Sequence, residues 1–335
     1  MQTVLVTGGG GFLGSALVKA LLNRGVTVRS LNRGDYAELE ALGVTQYRGD
    51  IADPDLVKLA AEGCDAVFHV AAKAGIWGDY QTYFQANVVG TSNVIEACRV
   101  HGIDKLIYTS SPSVVYAGVD QEGVDESAPR PKTFKANYPA TKALAEELVN
   151  DANSDQLATV SLRPHLIWGP GDNHLLPRLV ERHAKGKLQL ISKTNVVDAV
   201  YVDNAVQAHL LAAERLEPGS AIAGKNYFVT NHEPMKLTEI INNMMAAAGL
   251  GPVTSFVSPR VAYTAGMVME GVFKAFGVKN EPRITRFMAE QMSTSHWFDN
   301  TASTNELGYK PAISMEEGFK VLAEHCRQKG ALVNA

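Results

Sequence analysis

Tyr138-Pro139-Ala140-Thr141-Lys142 sets a phenol and an ammonium four residues apart, one turn along the same face of a helix. A neighbouring ammonium favours the phenolate and brings a tyrosine towards the range of a working acid or base. In a chain with 11 tyrosines the spacing alone is weak, and its meaning comes from what precedes it. Lys105-Leu106-Ile107-Tyr108-Thr109-Ser110-Ser111 reads as a strand ending in hydroxyls. In parallel α/β sheets, ligands gather at the carboxyl ends of strands. Ser111 is thereby placed to hold a substrate carbonyl oxygen, with Ser110 and Ser113 as local competitors. A hydroxyl, a phenol and an ammonium at one strand end suit hydride transfer at a secondary alcohol or ketone, provided a nicotinamide is held beside them.

The binding site for such a cofactor is written at the start of the chain. Thr7-Gly8-Gly9-Gly10-Gly11-Phe12-Leu13-Gly14 falls where a first strand ends and a first helix begins. Glycines there let backbone N–H groups approach a pyrophosphate, and the helix end adds its positive dipole. The run fits Gly9-x-Gly11-x-x-Gly14 and Gly8-x-x-Gly11-x-x-Gly14 equally. At the end of the second strand, Asn32 stands where a ribose-binding carboxylate is expected, and Arg33 supplies a planar fork suited to a 2′-phosphate. NADP(H) is therefore expected over NAD(H); the counter-reading has Arg33 solvated and Asp35 reaching back to the ribose. Asp50 and Ile51 end the third strand, where Asp50 would meet the adenine amino group and Ile51 its ring, or Asp50 would cap a turn.

These residues need a frame. Apolar strand-like runs at 4–7, 26–31, 45–47, 66–71, 106–110 and 158–162 alternate with helical stretches, the pattern of parallel βαβ units covered on both faces. The expected fold is α/β: a Rossmann-type doubly wound parallel sheet over residues 1–168, with a smaller interleaved substrate-binding cap over 169–335. Later strands near 196–204 and 225–231 are expected to return to the sheet or its edge. The apolar stretch 261–276, with Tyr263, Met267, Met269, Val272, Phe273 and Phe276, is too short to span a bilayer and carries Glu270 and Lys274. It reads as a helix buried in the cap or over an apolar pocket, or else as an interfacial helix.

Composition narrows the function classes. A net charge of -4 without a dense basic run gives no footprint for nucleic acid or an anionic membrane. Three scattered cysteines, Cys64, Cys98 and Cys326, build neither a disulfide framework nor a zinc site, and no metal is expected. Met1 runs directly into a strand, without the basic start and apolar stretch of a secretory signal, so a reducing cytoplasm is expected.

The motifs, in order, resemble the extended short-chain dehydrogenase/reductase family. They are the Thr7 to Gly14 turn, Gly49-Asp50-Ile51, His69-Val70-Ala71-Ala72, Asn87-Val88-Val89-Gly90-Thr91, Thr109-Ser110-Ser111, the Tyr138/Lys142 pair and Leu162-Arg163-Pro164. Glu306-Leu307-Gly308-Tyr309-Lys310-Pro311 resembles the family's closing segment, so the likeness covers nearly the whole chain. Tyr108-Thr109-Ser110-Ser111 and Tyr138-Pro139-x-x-Lys142 resemble the 3β-hydroxysteroid dehydrogenase branch. Residues 69–78, 83–91 and 162–172 are similar to bacterial 2-alkyl-3-ketoacid reductases of olefinic-hydrocarbon biosynthesis.

The resemblance implies roles. Tyr138 is the general acid/base, Lys142 binds the nicotinamide ribose and tunes Tyr138, Ser111 bonds the reacting oxygen, and Asn87 supports them. Gly8, Gly11, Phe12, Leu13, Gly14, Asn32, Arg33, Asp50, Ile51, Ala71, Ala72, Lys73, Pro164 and His165 line the cofactor. The substrate it implies is a lipid-like 3-ketoacid. Lys73, His165 and Arg178 are candidate partners of its carboxylate, and Trp77 with the 261–276 helix of its alkyl arms. A homodimer or a larger multi-enzyme assembly is the expected state. A steroid-type member should carry an acidic residue where Asn32 stands, so that reading comes second. A sugar-nucleotide epimerase or dehydratase is disfavoured by apolar Ile76, Trp77, Trp168, Leu175 and Leu176. A non-enzymatic cofactor sensor has no use for a tuned phenol.

Overall fold

The opening strand, β1 (Thr3–Thr7), is buried on both faces, with Val4, Leu5 and Val6 fully enclosed. That is why it reads as a continuous apolar run instead of an alternation. The computed structural model describes residues 1–278 and 280–329. The chain continues through β2 (Thr27–Asn32), β3 (Thr45–Arg48), β4 (Ala66–His69), β5 (Lys105–Thr109), β6 (Gln121–Val124), β7 (Ala158–Pro164) and β8 (Ile167–Trp168). It ends with β9 (Val196–Val197), β10 (Val200–Tyr201), β11 (Lys225–Val229), β12 (Met235–Lys236) and β13 (His296–Phe298).

Seven strands form one parallel sheet in the order β11-β7-β5-β4-β1-β2-β3. The order reverses between β1 and β4, which opens a crevice at their carboxyl ends where this type of sheet receives its ligand. Helices cover both faces. Phe12–Leu22 and Val202–Arg215 pack with one face through Leu13, Leu17, Leu210 and their neighbours. Pro54–Ala61, Gly90–His101 and Asn137–Asp151 cover the other through Val57, Val94, Ile95, Ala145 and Val149. The sheet thus takes its outer strand from the second half of the chain. At that edge the Glu126 carboxylate accepts the Phe228 N–H at 2.8 Å, and the Tyr309 hydroxyl donates to the Thr230 carbonyl at 2.9 Å.

Two expectations change. Of the later strands, 225–231 does return to the sheet edge as β11, but 196–204 does not. That stretch divides into β9 and β10, because Val200 N–H bonds the His165 carbonyl and draws β10 alongside β8. β9 lies instead in a four-stranded sheet of order β12-β9-β13-β6. The apolar stretch 261–276 is a helix, Pro259–Ala275, yet only Ala262, Gly266 and Glu270 are buried on it. Gly266 fits against the Thr285 backbone, where a Cβ would come within 2.6 Å, and Glu270 pairs with Arg286 at 2.7 Å. Val261, Val268, Val272 and Phe276 consequently face outward, and Phe273 meets Trp77 edge-on with centroids 6.1 Å apart.

Candidate active site

The glycine turn closes on itself through Gly8 and Gly14. Gly8 has φ +73, a left-handed conformation that disfavours side chains, and a Cβ there would come within 2.9 Å of the Ala71 Cα. A Cβ on Gly14 would come within 2.1 Å of the Gly8 carbonyl oxygen. The helix Phe12–Leu22 begins at Gly11 with no side-chain cap. The N–H groups of Phe12, Leu13 and Gly14 therefore face outward as an anion site.

Asn32 is placed differently from its expected role. Its Oδ1 accepts from Gly10 N at 2.9 Å and its Nδ2 donates to Ser30 Oγ at 2.8 Å, so both ends brace the turn from below. Arg33 is exposed and makes no hydrogen bond or ion pair among the described residues, whereas Asp35 is held by Arg48 at 2.7 Å. Asp50 accepts from Ala52 N at 3.0 Å, a turn role, and remains exposed. Ile51 is buried against Gly90 in the core rather than open to a ring.

At the end of β5 the three serines separate. Ser110 is buried and donates to the Glu146 carboxylate at 2.6 Å. Ser111 caps the short turn Pro112–Val115 by accepting from Ser113 N at 3.2 Å, and its Oγ lies 2.9 Å from that of Ser113. Ser111 stands close enough to the Tyr138 phenol to work its pKa down, against the larger effect of burial, which raises it.

Tyr138 and Lys142 stand one turn apart on the helix Asn137–Asp151. Lys142 is enclosed, donates to the Thr109 carbonyl at 2.6 Å and lies 4.1 Å above the Tyr108 ring. Burial lowers its pKa to about 7, and the Glu146 carboxylate one turn further on opposes that shift. Ser111 thus works to lower the Tyr138 pKa, while the Lys142 amine is turned towards Thr109.

Glu146, which the sequence reading passed over, anchors this floor. It is fully buried and takes Arg163 Nε and Nη2 at 2.8 Å each and Arg130 Nη2 at 2.9 Å. Burial works to raise its pKa, but these donors hold it below the ordinary carboxylate range. Its signal was present: 138, 142 and 146 share one helix face.

Above the floor, Asn87 fastens the segment leaving β4. Its Oδ1 accepts from Lys73 N at 2.7 Å, and its Nδ2 donates to the Lys73 carbonyl at 3.2 Å and to Thr141 Oγ1 at 3.0 Å. Ala71 and Ala72 lie on that segment, Ala71 against Gly8. The Lys73 ammonium sits 5.1 Å over the Tyr83 ring. Trp77 Nε1 donates to the Val278 carbonyl at 3.2 Å, tying the loop to the cap. Arg178 is exposed and paired with Glu281 at 3.5 Å. Pro164 is buried at the end of β7, and His165 after it is neutral, burial lowering its pKa to about 4. His165 thus arrives as a hydrogen-bonding ring and not as a standing cation.

The sequence profile described as the 3-beta hydroxysteroid dehydrogenase/isomerase family matches residues 5–257. The chain belongs to that family. Among its relatives, the 2-alkyl-3-oxoalkanoate reductase of Stenotrophomonas maltophilia is 50% identical over 95% of this chain and 98% of its own. The enzyme of the same name from Shewanella oneidensis is 47% identical over 95% of this chain and 84% of its own. Among solved structures, a UDP-glucose 4-epimerase of Thermus thermophilus in complex with NAD superposes with TM-score 0.74 at 27% identity, over 99% of this chain and 100% of that one.

As a member of the 3β-hydroxysteroid dehydrogenase family, the protein is an oxidoreductase acting on hydroxyl or keto groups with a nicotinamide cofactor. The uncapped helix start at Gly11 and the close-packed glycines fit a dinucleotide pyrophosphate. Among the described residues, no helix is long and apolar enough to cross a membrane.

Proposed function

We propose that this protein reduces the 3-keto group of a long-chain 2-alkyl-3-oxoalkanoic acid to the 2-alkyl-3-hydroxy acid, with NADPH, in the biosynthesis of long-chain olefins. The observation that carries the chemistry is that the Tyr138 helix packs on the turn capped by Ser111 at the carboxyl end of β5, which brings the hydroxyl within reach of the phenol. The two reductase relatives support the substrate class. Support for NADPH comes from Arg33, free beside the glycine turn, and from Asp35, already held by Arg48.

A bound nicotinamide supplies the two electrons and the hydrogen that reach the carbonyl carbon. The residues do the rest. Ser111 Oγ–H donates to the keto oxygen and holds it against Tyr138. As negative charge develops on that oxygen, the Tyr138 hydroxyl hands over its proton, which a pKa held up by burial keeps in place until then. Lys142, with a pKa near neutrality and anchored to Thr109, is the residue that would hold the ribose hydroxyls of a bound cofactor. The apolar cluster of Ile76, Tyr116, Ala136 and Phe287 lies at the start of the Tyr138 helix, where Ala136 is the N-cap. That lining suits alkyl arms better than a sugar ring.

The test is a cofactor-oxidation panel of NADPH and NADH against a branched long-chain 3-ketoacid, a 3-ketosteroid and a UDP-sugar. Fastest turnover of the ketoacid with NADPH is expected. Faster turnover of the steroid than of every ketoacid would overturn the substrate while leaving the Ser111 and Tyr138 chemistry in place.

A further inference from the structure

Two imidazoles meet beside the strand ends that hold Ser111. β5 and β7 pair with Thr109 opposite Leu162, so Ser111 is level with Pro164 and His165 stands one residue beyond it. The His165 ring lies 4.8 Å from that of His296 on β13, with Phe298 at 5.4 Å and Tyr116 completing the wall 6.0 Å from His296. His165 donates Nδ1–H to the Asp198 carbonyl at 2.7 Å, which leaves Nε2 as its free lone pair. His296 is 6% exposed, and its Nδ1 has no partner among the described residues. A buried polar nitrogen left unpaired calls for an explanation, and a ligand atom supplies one.

Burial keeps both rings uncharged, lowering the pKa of His165 to about 4 and, with His165 against it, that of His296 to about 3. The titratable groups on the surrounding elements are engaged elsewhere. The Asp198 carboxyl, raised to about 7 by burial, accepts from Thr230 Oγ1 at 2.7 Å and Glu233 N at 3.3 Å. The Tyr116 phenol bonds Thr294, Asp120 accepts from Ser295 N, and Glu290 pairs with Lys135. In a 3-ketoacid the carboxylate is two carbon–carbon bonds from the keto carbon. Its site must therefore adjoin the one that holds the keto oxygen.

Resting on the ketoacid reading above, we propose that His165 and His296 form the carboxylate site, and that the pair takes up one proton from solvent as the carboxylate enters. Left neutral, the pair holds no uncompensated buried charge; the arriving anion stabilises the imidazolium that the unliganded protein would not tolerate. The sign follows from linkage. Above the pKa of the free pair and below that of the complex, binding consumes a proton, so affinity for the acid falls about tenfold per pH unit.

The test uses enzyme saturated with NADPH and titrated calorimetrically with a 2-alkyl-3-hydroxyalkanoic acid, which does not react with the reduced cofactor, in buffers of different ionisation enthalpy. About one proton taken up per acid bound near neutral pH, and none per methyl ester, is expected. His296→Gln should weaken the acid about tenfold or more without weakening the ester, and with His165→Gln added the uptake should vanish. Asp198→Asn, which removes the other neutral titration, should keep the uptake. Should His296→Gln fail to fold, the native enzyme still decides: KM for the ketoacid must rise with pH while that for its ester stays flat. Tight binding of the acid with no proton uptake overturns this proposal and leaves the ketoacid reading standing. An acid neither bound nor reduced, by enzyme that turns over a 3-ketosteroid, removes the ketoacid reading and this proposal with it.

Discussion

Lys142 donates its ammonium to the Thr109 carbonyl at 2.6 Å, two residues short of Ser111. The bond ties the helix Asn137–Asp151 to the end of β5 and so sets where Tyr138 stands. Tyr138→Phe keeps that tie and removes only the phenolic proton. Turnover should fall by the ~100- to 10,000-fold typical of lost general acid catalysis. NADPH affinity, read by fluorescence titration, should stay within about twofold.

Glu146→Gln leaves Arg163 buried beside a neutral amide. Breaking such a pair costs about 3–5 kcal/mol, which denaturant unfolding will show as a lower midpoint at unchanged slope. Because the carboxylate supports the charged form of Lys142, the lysine pKa should also drop further below about 7.

Lys142 itself has a depressed pKa, about 7 against an ordinary 10.5. Between these values the unfolded chain binds the extra proton, so the lysine's burden on stability is full below about pH 7 and eases as pH rises towards 10.5. The stability difference between Lys142→Met and the native protein should accordingly shift in favour of the native protein over that window. Urea melts across a pH series measure it.

Much of this was legible in the sequence where local chemistry decides the outcome. The Gly8 to Gly14 turn, the Ser111 strand end and the Tyr138 helix each depend on residues close together in the chain. What was illegible depends on distant partners. Glu270 lies on a helix that looked apolar because its partner, Arg286, belongs to a later segment, so the face turned inward could not be told from the face turned out. Asn32 looked like a ribose ligand until Gly10 and Ser30 were seen to use both ends of its amide. His296 carried no local signal, since only folding brings it to His165.

Arg33→Ala should weaken NADPH by about tenfold or more, the worth of a charge-assisted fork, and leave NADH nearly unchanged. Equal losses for both cofactors would return the choice to Asp35.

Gly11 and Gly14 separate binding from folding. A Cβ at Gly11 meets only the Gly8 carbonyl oxygen at 3.2 Å, so Gly11→Ala should keep the thermal midpoint and lose cofactor affinity. At Gly14 the added atom collides with backbone at 2.1 Å, so Gly14→Ala should lower the midpoint as well. Scanning calorimetry with and without NADPH separates the two.

The covered edge of the sheet sets a timetable for biogenesis. β7 gains its outer neighbour only when β11 has left the ribosome, and Tyr309 closes that edge later still. A nascent chain paused before β11 displays a bare ladder of N–H and C=O groups along β7, an open template for other chains. Contacts this far apart in sequence form slowly, so β7 stays open to such pairing until β11 arrives.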